Sequence, residues 1–128
     1  MKFILGLNGT TITDLALSKD AIFYALLGVK NGIDGHKIDE DKHCNSFKVI
    51  NTDFQGYNIP ENKIPKDYLY AEKSKTLKPF WEIWTVAGCK YNYELPIYFL
   101  PDTKGIQISV GAKDFKFYKT VGKSKEGG

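Results

Sequence analysis

The spacing of apolar residues changes once along this chain, from a helical period to a period of two. Across 13–32, TDLALSKDAIFYALLGVKNG, residues Leu15, Ile22, Ala25, Leu26 and Val29 recur on one helical face. Leu17, Ala21, Tyr24 and Gly28 widen that stripe, so much of this helix should be buried. Thr13 or Asp14 can cap its start, and Asn31–Gly32 is a stop signal. An alternative is a turn at 13–17 followed by a helix capped by Ser18. From residue 80 onward the pattern is strand-like: FWEIWTVA, KYNYELPIYFL, GIQISVG and FKFYKTV, separated by Ala87–Gly88–Cys89 and by PDTKG at 101–105. Ile106, Ile108 and Val110 alternate with Gln107 and Ser109, as in a sheet covered on one face.

The segments between are less regular. KFILGL at 2–7 reads as a short strand and SFKVIN at 46–51 as another, while NGIDGHKIDEDKHCN at 31–45 reads as a loop. Turn residues and two prolines in 51–65 leave only 54–58 as an extension of the 46–51 strand. IPKDYLYAEKSK suits either a short helix opened by Pro65 or an extended segment. The order points to one α+β domain over 1–128, with a long N-terminal helix on an antiparallel β-meander of about four strands. That layout is compatible with a cystatin-like arrangement, an analogy that carries no function.

Composition narrows the function classes. All 18 basic residues are lysine, against 15 acids. Without arginine's planar fork, bidentate reading of guanine or phosphate loses its usual instrument, so neither nucleic-acid binding nor phosphoryl transfer is expected. The acids outnumber the lysines by one over 1–64, and the lysines lead by four over 65–128. The tail at 120–128, ending KSKEGG, reads as a disordered basic terminus. No stretch approaches the ~20 apolar residues of a transmembrane helix. The opening MKFILGLNG is too short for a signal peptide, which read literally places the chain in the cytoplasm unless a signal was removed.

Candidate chemistry concentrates in two places. The loop at 34–44 holds His36, Asp39, Asp41, His43 and Cys44, weak candidates for a metal site. Their spacing fits neither an EF-hand nor a zinc-protease helix, and a solvated loop is the simpler reading. A thiol-dependent enzyme would pair Cys89 with His36 or His43, but Cys89 falls at a hairpin turn, away from any helix N-terminus that would activate it. Cys44 and Cys89 are two free thiols in a reducing compartment or one bridge in an exported chain. Glu82 and Glu94, flanking the turn at 88–90, would lie near each other if the hairpin pairs there, as acid–base carboxylates do. No phosphate loop or nucleophile elbow is present in the sequence.

The second place is the hairpin itself, which holds both tryptophans. Tyr91, Tyr93, Leu95, Ile97 and Phe99 form one face of its second strand, while Tyr98 and Leu100 lie on the other. Only one face can lie under the helix, so the second is either covered by the 54–79 segment or open to a partner. Pro96 cannot donate to the ladder, so a bulge or an unpaired edge is expected there. These features suggest a non-catalytic binding protein needing no cofactor, which contacts a protein partner or itself through Trp81, Trp84, Tyr91, Tyr93 and Tyr98. A carrier for a small hydrophobic ligand or lipid, using space between helix and sheet, is the third reading.

Trp84, Thr85, Val86 and Cys89, followed by Pro101, Asp102 and Gly105, form a W-T-V-x-x-C … P-D-x-x-G segment. It resembles the C-terminal part of small exported bacterial proteins of unknown function, over about 27 of the 128 residues. Lys90 stands where such proteins often carry glycine. The resemblance implies an envelope location and a Cys44–Cys89 bridge, and no catalytic residue.

Overall fold

The structure, a computed structural model, describes residues 9–64, 66, 78–101, 105–111 and 114–119. One helix, α1 (Leu15–His36), packs on an antiparallel sheet of five strands. The strands are β1 (Lys48–Gly56), β2 (Phe80–Ala87), β3 (Tyr91–Pro101), β4 (Ile106–Val110) and β5 (Lys116–Lys119). Strands β1 to β4 follow one another across the sheet, and β5 returns to pair with β3. The strand expected at 2–7, most of the ambiguous 64–75 segment and the basic tail lie outside the described residues.

Asp14 caps α1, its Oδ1 accepting from the Leu17 amide at 2.8 Å. The helix does not stop at Asn31–Gly32 but runs a further turn, to Lys37, which adopts the left-handed conformation at φ 54°. Gly32 serves packing instead: a Cβ there would lie 2.5 Å from the Phe115 ring, and one at Gly28 would lie 2.9 Å from Val110. Ser18, Ala21 and Ala25 are also buried, so small residues stand between Leu17, Val29 and Ile33 on the side of α1 facing the sheet, and at the glycines the two layers approach closely. The loop expected over 31–45 is correspondingly shorter, and contains a 3-10 turn at Asp39–Asp41.

The β2–β3 hairpin is regular from Phe80 opposite Phe99 to Ala87 opposite Asn92. Its covered face carries Phe80, Glu82, Trp84 and Val86 from β2 and Tyr93, Leu95, Ile97 and Phe99 from β3, all buried. Phe80 and Phe99 stack at 4.5 Å between ring centres. Pro96 introduces no bulge into this register. Along its other edge, β3 pairs with β5 over Tyr91–Glu94 and with β4 over Ile97–Pro101. Pro96 falls in the gap between the two, where a missing amide costs no ladder bond, and its carbonyl accepts from the Gly111 amide at 2.9 Å.

Strand β1 runs without interruption from Lys48 to Gly56, joining the expected 46–51 strand to most of its 54–58 extension. Bulges near Ile50 and Gln55 adjust its register, and Thr52 points into the core. There it anchors the segment before the helix. The Thr52 hydroxyl accepts from the Thr11 amide at 3.1 Å, the Thr52 carbonyl accepts from the Thr10 amide at 3.0 Å, and the Thr10 hydroxyl accepts from the Phe54 amide at 2.8 Å. Thr11, Thr13 and Ser18 continue inward as a buried chain of hydroxyl contacts.

Trp84 sits at the centre of this core with none of its surface exposed, and donates its indole N–H to Glu82. Replacing it by Ala should therefore destabilise the fold by about 3–5 kcal/mol. Trp84→Phe, which keeps most of the volume but strips Glu82 of a donor, should cost about 1–3 kcal/mol. Urea denaturation followed by far-UV circular dichroism measures both. A Trp84→Ala protein of unchanged midpoint would contradict the core assignment.

Candidate functional site

Of the five aromatic residues that the sequence offered as anchors, Trp84 and Tyr93 belong to the core. The reason is the alternation of strand faces: both lie on the face that α1 covers, so neither can reach a partner while the protein is folded. Tyr91 is half-buried and engaged within the chain. Its hydroxyl donates to Glu40 at 2.8 Å, and Lys119 reaches Glu40 at 3.1 Å while lying 5.8 Å above the Tyr91 ring. The Tyr91 hydrogen bond, then Lys119, holds the Glu40 carboxyl below its ordinary range, and the same bond raises the Tyr91 hydroxyl.

Trp81 and Tyr98 lie on the opposite face of the sheet, stacked with centres 5.7 Å apart. They line a groove of about 290 Å³ with Ile83 and Pro96, which are themselves cross-strand partners. Pro60, Lys63, Glu94, Asp114 and Lys116 complete it. Lys63 and Asp114 form an ion pair at the groove, and that hydrogen bond raises the lysine's pKa. Tyr98 is only 3% exposed, and burial raises its hydroxyl. Two residues of the 54–79 segment, Pro60 and Lys63, thus come over the second face, and the described part of that segment leaves the groove open. The sequence identified Trp81 and Tyr98 but gave no reason to choose Lys63 or Asp114, which are remote from the hairpin in the chain.

The metal candidates are not brought together. His36 stacks on Phe115 at 5.1 Å, with Nδ1 3.1 Å from the Gly32 carbonyl, while Asp39 and His43 are exposed. Asp41 is buried and turned toward the hairpin, where it accepts from the amides of Lys90 at 2.8 Å and Tyr91 at 3.2 Å, and from the Tyr93 hydroxyl. Among the described residues, one cluster of ligand-type atoms lies within 4.8 Å: Asp41, Cys44 and Cys89. Its two sulfurs are bonded to each other, with Cα atoms 5.8 Å apart, so they offer no thiolate to a metal and no nucleophile to a histidine. The bridge and Asp41 together fasten the 37–47 segment to the β2–β3 turn.

Glu82 and Glu94 do not form a carboxylate pair. Glu82 is opposite Ile97 and faces the core, whereas Glu94 is opposite Thr85 and faces the groove. The Glu82 oxygens accept from the Trp84 indole at 2.7 Å and the Ile12 amide at 2.9 Å, which makes this carboxyl a structural group. In comparisons with known proteins no family model matches the chain, and neither a curated protein nor a solved structure matches it.

Two measurements check this region. The bridge closes a 45-residue separation, so reduction should lower stability by about 4 kcal/mol in the chain-entropy model; denaturant midpoints with and without a dithiol reductant give the value. Burial, and then the bond to Asp41, raises the Tyr93 hydroxyl above its ordinary pKa of about 10. Its contribution to stability is complete below pH ~10 and is lost as pH rises beyond that value. Tyr93→Phe should flatten the alkaline fall in the midpoint, although Tyr91 and Tyr98, also raised, retain part of it.

Proposed function

We propose that this chain is a non-catalytic binding protein of an oxidising compartment, and that the Trp81–Tyr98 groove holds an apolar side chain of a protein partner. The observation that carries this reading is the groove's make-up. Its floor is Trp81, Ile83, Pro96 and Tyr98, and its charged residues are of both signs, with Lys63 and Asp114 already paired. A cavity of about 290 Å³ is at the small end of small-molecule sites, which span roughly 300–1,000 Å³. It suits one large anchor side chain, with the partner's backbone left at the polar rim. Trp81 is partly exposed and stacked on the buried Tyr98, the kind of aromatic residue that dominates interface energetics.

The other chemically promising groups support the same reading, because they are already engaged. Asp41 and Glu82 are saturated by hydrogen bonds and the cysteines are bonded to each other. The bridge also favours export over a reducing cytoplasm, as the W-T-V-x-x-C resemblance does.

Selection of displayed peptides against the oxidised protein tests the proposal. Enriched peptides should share one large apolar residue, alter the fluorescence of Trp81, and bind Trp81→Ala at least tenfold more weakly, about 1.4 kcal/mol. Peptides that bind Trp81→Ala as well as the parent protein, at an unchanged melting temperature, would overturn it.

A further inference from the structure

The outer side of α1 carries large apolar residues that neither the core nor the groove explains. Phe23 is 61% exposed, Leu27 44% and Tyr24 42%. They belong to a longer pattern. Ala16, Asp20, Phe23, Leu27, Lys30 and Asp34 follow one another at alternating steps of four and three residues, and every one of them is exposed. Such spacing is the a/d seam of a coiled coil, presented to solvent along most of a 22-residue helix.

From the charges on that seam we infer that its occupant is the same helix of a second copy, running antiparallel about a two-fold axis at the level of Ala25. In this register Phe23 of each copy lies against Leu27 of the other. Asp20 of each copy lies against Lys30 of the other, so two apolar layers are closed at both ends by opposite charges. A parallel pairing would set Asp20 on Asp20, Lys30 on Lys30 and Asp34 on Asp34, which like-charge repulsion disfavours. Among the described residues neither Asp20 nor Lys30 is held in an ion pair. The flank of the seam is shaped for the same arrangement. Tyr24, Leu27, Gly28, Asn31 and Val110 line a dimple of about 160 Å³, on the side where the two-fold axis places Tyr24 of the second copy. With one helix per copy and two apolar layers, this contact is smaller than the ~800 Å² per partner of a standard interface. Association is therefore weak and concentration-dependent. The inference is independent of the groove, which lies on the far side of the sheet.

Sedimentation equilibrium of the oxidised full chain, from micromolar to millimolar concentration, tests it. The parent protein should show a monomer–dimer equilibrium. Phe23→Glu should abolish it, and Asp20→Lys or Lys30→Asp should each weaken it at least tenfold, with melting temperatures unchanged because these side chains are exposed. The double variant Asp20→Lys/Lys30→Asp should restore association to within about threefold of the parent. A protein monomeric throughout, a dimer indifferent to Phe23→Glu, or a charge swap that fails to restore association would each overturn the inference.

Discussion

Among the described residues two carboxyl groups are buried, and the way their oxygens are satisfied fixes the segments on either side of the helix. A buried polar group left without a partner costs several kcal/mol, and a charged one more. The chain has no arginine to place beside them. Glu82 instead takes the Trp84 indole and the Ile12 amide, and so binds the segment before the helix to the centre of the sheet. Asp41 takes the Lys90 and Tyr91 amides and the Tyr93 hydroxyl, and so binds the segment after the helix to the hairpin turn. The helix is suspended between these two attachments. The disulfide reinforces the second, covalently linking the loop and turn that Asp41 already joins.

That suspension brings α1 close to the sheet, and close approach selects small residues on its inner side. Gly28 and Gly32 admit Val110 and Phe115 at distances no side chain would allow. The consequence appears on the opposite side. The inner face holds Leu17, Val29 and Ile33 among serine, alanine and glycine, while Phe23, Tyr24 and Leu27 are left in water. An ordinary amphipathic helix buries its largest apolar residues. Here α1 buries Leu17, Val29 and Ile33 but leaves its aromatic residues, Phe23 and Tyr24, on the outer surface.

The same packing also explains which parts of the structure were legible in the sequence. Periodicity identified the helix and the C-terminal strands, because both repeat an apolar spacing over many residues, and it gave the α+β class. It misplaced the helix end, since Gly32 looks the same in sequence whether it breaks a helix or admits an aromatic ring. It gave Thr52 no role, since the value of Thr52 lies in hydrogen bonds to residues some forty positions away. Alternation divided the hairpin into two faces but could not say which face the helix covers. Trp84 and Tyr93 were therefore grouped with Trp81 and Tyr98 although they point to opposite sides. The groove needed Lys63 and Asp114, which only the tertiary fold brings together.

The relative position of the two surfaces has a functional consequence. Trp81 and Tyr98 face away from α1, while Phe23 and Leu27 face away from the sheet, so the groove and the seam lie on opposite sides of a two-layer protein. Pairing through the seam would leave both grooves open and hold them a fixed distance apart. A partner with two suitable anchors would meet the second groove at high effective concentration once it occupied the first. Weak contacts at each surface then suffice, because avidity multiplies them without any new interaction. With most large aromatic and aliphatic groups buried in the core, Trp81 at the groove and Phe23 and Leu27 at the seam are the ones that the proposed contacts would use in combination.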